Sequence, residues 1–231
     1  MPQAWKKKVR MIRSFIRLFP ILCLLATLAC HASSAPVKLP DAAADTPLSK
    51  TKGTQTVVLA GGCFWGIQAV FEHVKGVSSA TAGYSGGAAN TAQYETVSTG
   101  RTGHAESVRV VYDPSQVSFG QILKVFFSVA HDPTELNRQG PDEGTQYRSV
   151  IFYSNEDQKR VAQAYIAQLN QGKLFPEPIV TQTVALQAFY PAEAYHQDYA
   201  VHHPNEPYIA INDLPKVDHL KQTLPELYVG K

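Results

Sequence analysis

Cys63 lies within the sequence GGCFWG of residues 61–66, directly after an apolar run over 56–60. The run predicts a short buried strand, and the paired glycines predict a tight exit from it. Apolar residues then recur at spacings of three and four, which predicts a helix over 64–74. Cys63 is therefore expected on a strand-to-helix elbow, where unpaired N–H groups and the helix dipole favour a thiolate. This setting predicts a nucleophile, although a lone cysteine is more commonly inert core.

The other two cysteines, Cys23 and Cys30, lie in an N-terminal segment with the pattern of an export signal. Residues 1–30 contain six basic groups and no acidic one, and an apolar run over 19–29 is too short to span a bilayer comfortably. We predict a secretory signal segment over 1–32 and an exported protein, periplasmic or extracellular. An uncleaved anchor is one alternative, and a lipid tether at Cys30, whose surroundings loosely resemble a lipoprotein cleavage box, is another.

The remainder of the chain has the composition of an ordinary globular domain. Without its first 30 residues the chain holds 15 basic and 19 acidic side chains, so it lacks the basic excess of a nucleic-acid binder. Small, polar and proline residues over 33–53 predict a flexible leader, and 54–231 shows no repeat or break, which predicts a single domain. Cys63 is then the domain's lone cysteine, and a lone cysteine cannot form an internal disulfide.

The order of strand and helix patterns predicts the fold class. We expect strands over 56–60, 76–84, 107–113, 147–153 and 179–186, helices over 64–74, 119–127, 155–170 and 191–199, and a weak helix over 217–223. This order suits an α/β (α+β) two-layer sandwich, in which helices cover one face of a mixed sheet. We expect a ferredoxin-like plait as its core and an irregular C-terminal wrap after His202.

Two polar loops, over 86–103 and 131–146, contain more acids and tyrosines than connectors need. The first contains Tyr94 and leads to Glu106 at the next strand, and the second contains Asp142 and leads to Tyr147. Catalytic groups are commonly found on such loops, because a rigid sheet positions them. These four residues are therefore candidate partners of the cysteine.

Four sequence blocks resemble the A-type peptide methionine sulfoxide reductases: GCFWG at 62–66, GHAE at 103–106, HDP at 131–133 and GTQYRS at 144–149. The blocks follow the family's order, and the resemblance covers residues 55–205. It implies reduction of the S-epimer of methionine sulfoxide, in proteins and as the free amino acid, with no bound cofactor and no metal. Oxidised proteins or peptides would be the substrates.

The resemblance also implies roles for the candidate residues. Cys63 resembles the nucleophile that attacks the sulfoxide sulfur and becomes a sulfenic acid, and Glu106 resembles the proton donor to the oxygen. A carboxyl stays protonated at neutral pH only in an apolar, partly buried setting. Tyr94 and Tyr147 resemble phenols that hold the oxygen, and Asp142 resembles a supporting acid. The alternatives are a solvated acid for Glu106, core packing for the tyrosines and an exposed loop acid for Asp142.

Phe64 and Trp65 resemble the aromatic walls that receive the substrate's methyl group. Burial of one methyl contributes about 1 kcal/mol, so such a pocket orients the sulfoxide more than it binds it. Because sulfoxide sulfur is chiral, a fixed methyl, oxygen and line of attack select one epimer. The alternative for Phe64 is plain core packing.

The chain departs from the family at its C-terminal end. Many members carry further cysteines there that attack the sulfenic acid, whereas residues 202–231 contain none. The sequence therefore predicts that an external thiol, from a thioredoxin-like protein or a small dithiol, reduces Cys63.

Two other classes of protein compete with this interpretation. A single-cysteine peroxidase or hydrolase is the first, and a hydrolase could take its base from His104, His131 or His196. The second is a metal-binding module, for which the chain offers His131, Asp132, His196, His202 and His203. These five residues lack the compact spacing of a metal site.

Overall fold

A computed structural model gives the structure of the chain and describes residues 38–230. The predicted signal segment over 1–32, Cys30 and the first residues of the predicted leader lie outside the described residues. Within 38–230, no helix has the length and apolar character needed to cross a bilayer.

The described residues form eight strands and six helices, joined by short turns. The strands are β1 (Gln55–Ala60), β2 (Val77–Ser85), β3 (Ala105–Tyr112), β4 (Arg138–Gln139), β5 (Asp142–Glu143), β6 (Val150–Tyr153), β7 (Gln182–Ala185) and β8 (Phe189–Pro191). The helices are α1 (Phe64–Glu72), α2 (Tyr94–Val97), α3 (Phe119–Val125), α4 (Glu156–Gln171), α5 (Tyr199–His202) and α6 (Leu214–Thr223). Single 3-10 turns span Ala89–Thr91, Thr145–Tyr147 and Ala194–His196, and wider π-turns span Phe126–Ala130 and Ile209–Asp213.

Six strands form one sheet in the order β7-β6-β1-β3-β2-β8, and β4 pairs with β5 in a separate hairpin. The inner strands β6, β1, β3 and β2 pair antiparallel, whereas β6 and β7 are parallel, so the sheet is mixed. α1 connects β1 to β2, and α3 lies between β3 and β6 in the chain. This strand order confirms the expected ferredoxin-like plait within an α+β fold.

Alternation along β1 shows how the two faces of the sheet are buried. Val57 and Leu59 belong to the main core with α1 and α3, whereas Val58 and Ala60 pack on the opposite face. Both sets are fully buried, because residues 186–189 cover the face that lacks the helices. A capping box between the N-cap residue Ser118 and Gln121 begins α3.

The predicted flexible leader differs in the structure from residue 38 onward. Residues 38–53, here called the N-terminal arm, pack along the domain. Leu39 is only 2% exposed, and the Asp45 carboxylate accepts a hydrogen bond of 2.8 Å from the Gly120 N–H at the start of α3. Composition suggested a linker because a few scattered contacts, such as those of Leu39, Ala42 and Asp45, leave no periodic sequence pattern.

The helix predicted over 191–199 is wrong. Pro191 instead ends β8, which pairs with β2 at the edge of the sheet. An edge strand tolerates proline because its N–H side needs no partner. The two predicted loops contain α2 and the β4–β5 hairpin, and the strand predicted from 147 begins at 150.

Residues 192–228, here called the C-terminal tail, contain more helix than predicted. α5, a π-turn and α6 follow one another, and α6 begins at Leu214 with Pro215 in its first turn, where proline is well tolerated. Leu220, Leu224 and Leu227 are buried in the main core. The tail therefore packs on the domain through its own apolar side chains.

Candidate active site

Cys63 lies on the predicted elbow, as the N-cap residue of α1. Gly62 before it has a φ of +104°, a backbone conformation that favours glycine. A Cβ atom there would also lie 2.5 Å from Cγ of Gln139, so a larger residue would displace the β4–β5 hairpin. The cysteine itself is 7% exposed, and the elbow thus presents a nearly buried sulfur.

The surroundings of Cys63 favour the thiol over the thiolate. Burial raises the pKa of Cys63 well above its ordinary value, and the negative charges of Glu106 and Asp213 add to the effect. A backbone hydrogen bond from Trp65 and the charge of Lys216 lower the pKa. The helix start therefore acts as the sequence suggested, but burial outweighs it.

Glu106, on β3, occupies the setting that a proton donor needs. Its carboxyl is 2% exposed, and Oε2 accepts a hydrogen bond of 3.1 Å from the N–H of Phe64. Burial raises the pKa of Glu106 to about 8, against the opposing effect of the Phe64 N–H. The carboxyl therefore carries its proton at neutral pH, beside the residue that follows the nucleophile. A solvated acid at the head of a strand does not fit this environment.

Tyr94 and Tyr147 lie on different loops, and both face the candidate site. Tyr94 is the first residue of α2, and Tyr147 ends the 3-10 turn before β6. Both are half-buried, and burial followed by the charge of Glu106 raises the pKa of each phenol. The charge of a Cys63 thiolate would raise the pKa of both phenols further. They are neutral hydrogen-bond donors at physiological pH.

Asp142, on β5, is half-buried and has a partner that the sequence analysis missed. The hydroxyl of Tyr208, in the C-terminal tail, donates a hydrogen bond to Oδ2 of Asp142. Burial raises the pKa of Asp142, and the bond from Tyr208 opposes the rise. Asp142 in turn raises the pKa of Glu106. It therefore belongs to the site's network of charges rather than to an exposed loop.

The two predicted aromatic walls lie at different depths. Phe64 is 1% exposed and packs in the core beneath the site, with its ring centroid 5.1 Å from that of His196. Trp65 remains partly exposed and stacks on Tyr199 with a centroid distance of 4.0 Å. The Tyr208 ring lies nearly perpendicular to the Trp65 ring, with the ring centroids 6.2 Å apart. The open aromatic surface is thus Trp65 with two tail tyrosines, which sequence reasoning missed.

His196 is a further residue whose place the sequence did not predict. It is 2% exposed, its Nδ1 accepts a hydrogen bond of 3.2 Å from the Trp65 indole N–H, and its ring packs 4.3 Å from that of Tyr94. Burial lowers the pKa of His196, so the ring is neutral and its proton lies on Nε2. His196 therefore positions the Trp65 indole. The only sequence signal was the three-residue spacing between His196 and Tyr199.

The histidines that a hydrolase could use are engaged elsewhere. His131 bonds the Ser149 hydroxyl at 2.7 Å and a backbone carbonyl at 3.0 Å, and burial lowers its pKa to about 4. Both ring nitrogens of His104 bond backbone groups of the loop after β2. Within residues 38–230, no three His, Cys, Asp or Glu side chains come together in a way that could hold a metal ion.

Comparisons with known proteins agree with this site. The family model described as peptide methionine sulfoxide reductase matches residues 55–227. A peptide methionine sulfoxide reductase MsrA 2 of Mesorhizobium japonicum is 62% identical over 179 residues, which cover 78% of this chain and 92% of that protein. The MsrA 2 protein of a Synechocystis species is 53% identical over 186 residues, 80% of this chain and 87% of that protein.

Solved structures give the same result. Methionine sulfoxide reductase A of Corynebacterium diphtheriae is 35% identical, with a TM-score of 0.57, over 67% of this chain and 77% of that one. Reduced Mxr1 from Saccharomyces cerevisiae is 30% identical, with a TM-score of 0.59, over 70% of this chain and 94% of that one.

The fold and the site thus define an oxidoreductase that acts on methionine sulfoxide. The chain belongs to the peptide methionine sulfoxide reductase family. The peroxidase, hydrolase and metal-binding alternatives are not favoured.

Proposed function

We propose that the protein reduces the S-epimer of methionine sulfoxide, in peptides and as the free amino acid, with Cys63 as nucleophile and Glu106 as proton donor. The observation that carries this proposal is the position of the Glu106 carboxyl. It is buried, it accepts the N–H of Phe64 at 3.1 Å, and its pKa of about 8 leaves it protonated at neutral pH. A nucleophile and an acid that still has its proton are what the chemistry requires.

The reaction is balanced for atoms and protons. The Cys63 sulfur attacks the sulfoxide sulfur and forms an S–S bond. The methionine S–O bond and this S–S bond then break as the oxygen becomes bonded to Cys63, which leaves a sulfenic acid on Cys63 and releases the thioether. Glu106 gives its proton to the departing oxygen and recovers one from the cysteine thiol. One thiol and one sulfoxide therefore yield one sulfenic acid and one thioether.

The surrounding side chains orient the sulfoxide. Tyr94 and Tyr147, as neutral donors, hold the oxygen while negative charge develops on it, and Asp142 supports the network. Trp65 receives the methyl group, and Phe64 supports the indole from beneath. With methyl, oxygen and line of attack fixed, only one epimer presents its sulfur to Cys63.

Reduction of the sulfenic acid requires a thiol from outside the domain. Cys63 is the only cysteine among residues 38–230, and the structure holds it as a free thiol. The external thiol belongs to a thioredoxin-like protein or to a small dithiol, and oxidised proteins are the substrates. The basic and apolar pattern of residues 1–32 supports export to the periplasm or the cell exterior, with Cys30 as a lipid tether only if it is acylated.

Turnover of a methionine sulfoxide peptide tests the proposal, with each epimer supplied separately and a simple dithiol as reductant. The wild-type protein is expected to reduce the S-epimer alone, and Cys63→Ser is expected to be inactive. A sulfenic acid on the Cys63 peptide, trapped and identified by mass spectrometry, would follow one turnover without reductant. Replacement of both Cys23 and Cys30 by serine is the matched control and should retain activity. S-epimer reduction by Cys63→Ser would refute the proposal.

A further inference from the structure

Asp213 and Lys216 form a buried ion pair at the start of α6. Asp213 is fully buried, its Oδ1 lies 3.2 Å from the Lys216 ammonium, and the lysine side chain is 18% exposed. The second carboxylate oxygen, Oδ2, is buried and has no hydrogen-bond partner. A buried carboxylate with one unpaired oxygen is costly, because its charge is only partly compensated.

The stability of α6 does not account for this pair. Asp213 is the N-cap residue of the helix, but its side chain accepts no hydrogen bond from the helix N–H groups. Lys216 lies in the first turn, where a positive charge opposes the helix dipole. Neither residue therefore occupies its position for the benefit of its own helix.

The pair lies against the helix that begins at the nucleophile. A Cβ atom at Gly66, in the first turn of α1, would lie 2.1 Å from Oδ1 of Asp213 and 2.8 Å from the ammonium nitrogen of Lys216. α6 packs against α1 along this contact. Only glycine at this position allows such a close approach, so the charges of the pair lie beside the turn that presents Cys63.

The groups that face Cys63 come from every element around it: Glu106 of β3, Tyr94 of α2, Tyr147 of the 3-10 turn, and Tyr208, Asp213 and Lys216 of the tail. After burial and Glu106, Asp213 is the next largest influence that raises the pKa of Cys63, and Lys216 opposes it more weakly. Asp213 also raises the pKa of Glu106, after burial and Asp142. Burial raises the pKa of Asp213 itself, and the charge of Lys216 opposes that rise, so the lysine favours the carboxylate that acts on both groups.

We propose that Asp213, paired with Lys216 against the first turn of α1, is a positioning residue that holds the protons on Cys63 and Glu106 between turnovers. This inference rests on the proposed function only in taking Cys63 as the nucleophile. The thiolate, and not the thiol, is the form that oxidants and alkylating agents attack. Asp213 thus protects the resting enzyme against loss of its nucleophile, and the protons remain in place for the sulfoxide oxygen.

Alkylation of the substrate-free protein by iodoacetamide tests the proposal, followed by mass spectrometry of the Cys63 peptide from about pH 6 to about pH 10. Asp213→Asn is expected to speed alkylation about tenfold near neutral pH, with the profile displaced by about one unit to lower pH. Lys216→Met is expected to act in the same direction, because a buried carboxylate that loses its cation takes up a proton. Lys221→Met removes an exposed charge from the same helix and should match wild type.

Slower alkylation of Lys216→Met would overturn the proposal, since it would mean that the ammonium activates the thiolate directly. Unchanged profiles in both variants would overturn it as well. Thermal unfolding identifies any variant that fails to fold, and Lys216→Arg, which keeps the charge, should then retain the wild-type profile where Lys216→Met does not. If Cys63→Ser reduced the sulfoxide, the proposed function would fail, whereas the alkylation profiles would still decide the role of Asp213.

Discussion

The N-terminal arm and the C-terminal tail both extend beyond the regular strand and helix patterns of the chain, and they contribute differently to the molecule. Both contain prolines and polar residues without a sustained strand or helix period, and both pack on the domain in the structure. The arm contributes buried apolar area and hydrogen bonds to helices. The tail brings aromatic, imidazole and carboxylate groups to the cysteine. Two segments without a sustained sequence period therefore play different parts: one stabilises the fold and the other completes the site.

The contacts of the arm explain its contribution. Leu39 lies in the main core, and the carbonyl of Pro40 accepts a 2.7 Å hydrogen bond from the Tyr165 hydroxyl of α4. Asp45 accepts hydrogen bonds at the start of α3. These contacts hold α3 and α4 in place.

The contacts of the tail are of another kind. His196 accepts the indole N–H of Trp65, and Tyr208 donates to Asp142. Asp213 lies against the first turn of α1. We therefore expect changes in the arm to alter stability with little effect on chemistry, and changes in the polar tail groups that reach the site to alter the chemistry more than the stability.

Glu106→Gln has the largest expected effect on the rate. Because Glu106 belongs to the central sheet, its variant is the reference against which variants of the N-terminal arm and the C-terminal tail are compared. Loss of the proton donor should slow the first reduction step about 1,000-fold in single-turnover experiments. In the wild-type protein the donor must carry its proton, so the rate of this step should fall as the pH rises through about 8, the pKa of Glu106.

The pH–rate profile of Glu106→Gln is a second readout in this experiment, and a variant of the neighbouring acid Glu143 is its control. Glu106→Gln should lose the limb near pH 8, because glutamine does not titrate. Glu143→Gln changes an exposed acid of β5 in the same way and should keep both rate and profile. An unaltered profile in Glu106→Gln would contradict the role of the carboxyl.

Leu39→Ala has the largest expected effect in the arm. Truncation of a buried leucine should lower the free energy of unfolding by about 3 kcal/mol, because apolar burial is lost and a cavity remains. The rate of the first step should stay within about twofold of wild type at a temperature where the variant is folded. Denaturant unfolding and single-turnover kinetics measure the two quantities.

Leu48→Ala is the matched control for this change, because Leu48 lies in the same arm but is 48% exposed. Its effect on the free energy of unfolding should be within about 0.5 kcal/mol. A stable Leu39→Ala variant that reduced sulfoxide slowly would mean that the arm takes part in the chemistry, and the contrast between the two flanks would be lost.

Tyr208→Phe tests whether a change in the C-terminal tail lowers the rate more than the stability. Loss of the hydroxyl leaves the half-buried Asp142 without its donor and changes the charges around the site, so the first step should slow about tenfold. The free energy of unfolding should change less than in Leu39→Ala. Tyr228→Phe, which alters a tail tyrosine that stacks on His73, should leave the rate unchanged. A fall in stability without a fall in rate would show that the tail only packs.

Sequence predicted the parts of the site that local patterns determine. The elbow at Cys63 follows from an apolar run, a glycine pair and a helix period, and Glu106 is predictable as a candidate because the next strand begins beside it. Tyr94, Tyr147 and Asp142 lie in loops that end at strands, so the sheet itself brings them to one place. Local patterns of this kind can be recognised in the sequence because they do not depend on packing between distant segments.

Sequence did not predict the residues whose positions depend on distant packing. Tyr208, His196 and Asp213 reach the site because the tail folds back over α1, and no periodicity within the tail encodes that path. The depth of Phe64 relative to Trp65 likewise depends on the tail tyrosines that cover the indole. The packing of residues 38–53 and the strand that ends at Pro191 were not predicted for a related reason, since core contacts and a sheet edge exist only in the assembled domain.

Asp45→Ala is expected to have the smallest effect of these variants on the free energy of unfolding. It is therefore the most sensitive test of the difference between the N-terminal arm and the C-terminal tail. The carboxylate accepts the N–H of Gly120 at 2.8 Å and a hydrogen bond from Ser118 at the start of α3, as an N-terminal cap does. Its loss should lower the free energy of unfolding by about 1 kcal/mol, measured by denaturant titration, without a change in the rate of the first step. Asp218→Ala, at an exposed position of α6, should not lower stability. If the rate of Asp45→Ala fell while its stability held, the arm would be coupled to the site through α3, and the two flanks would differ less than their contacts indicate.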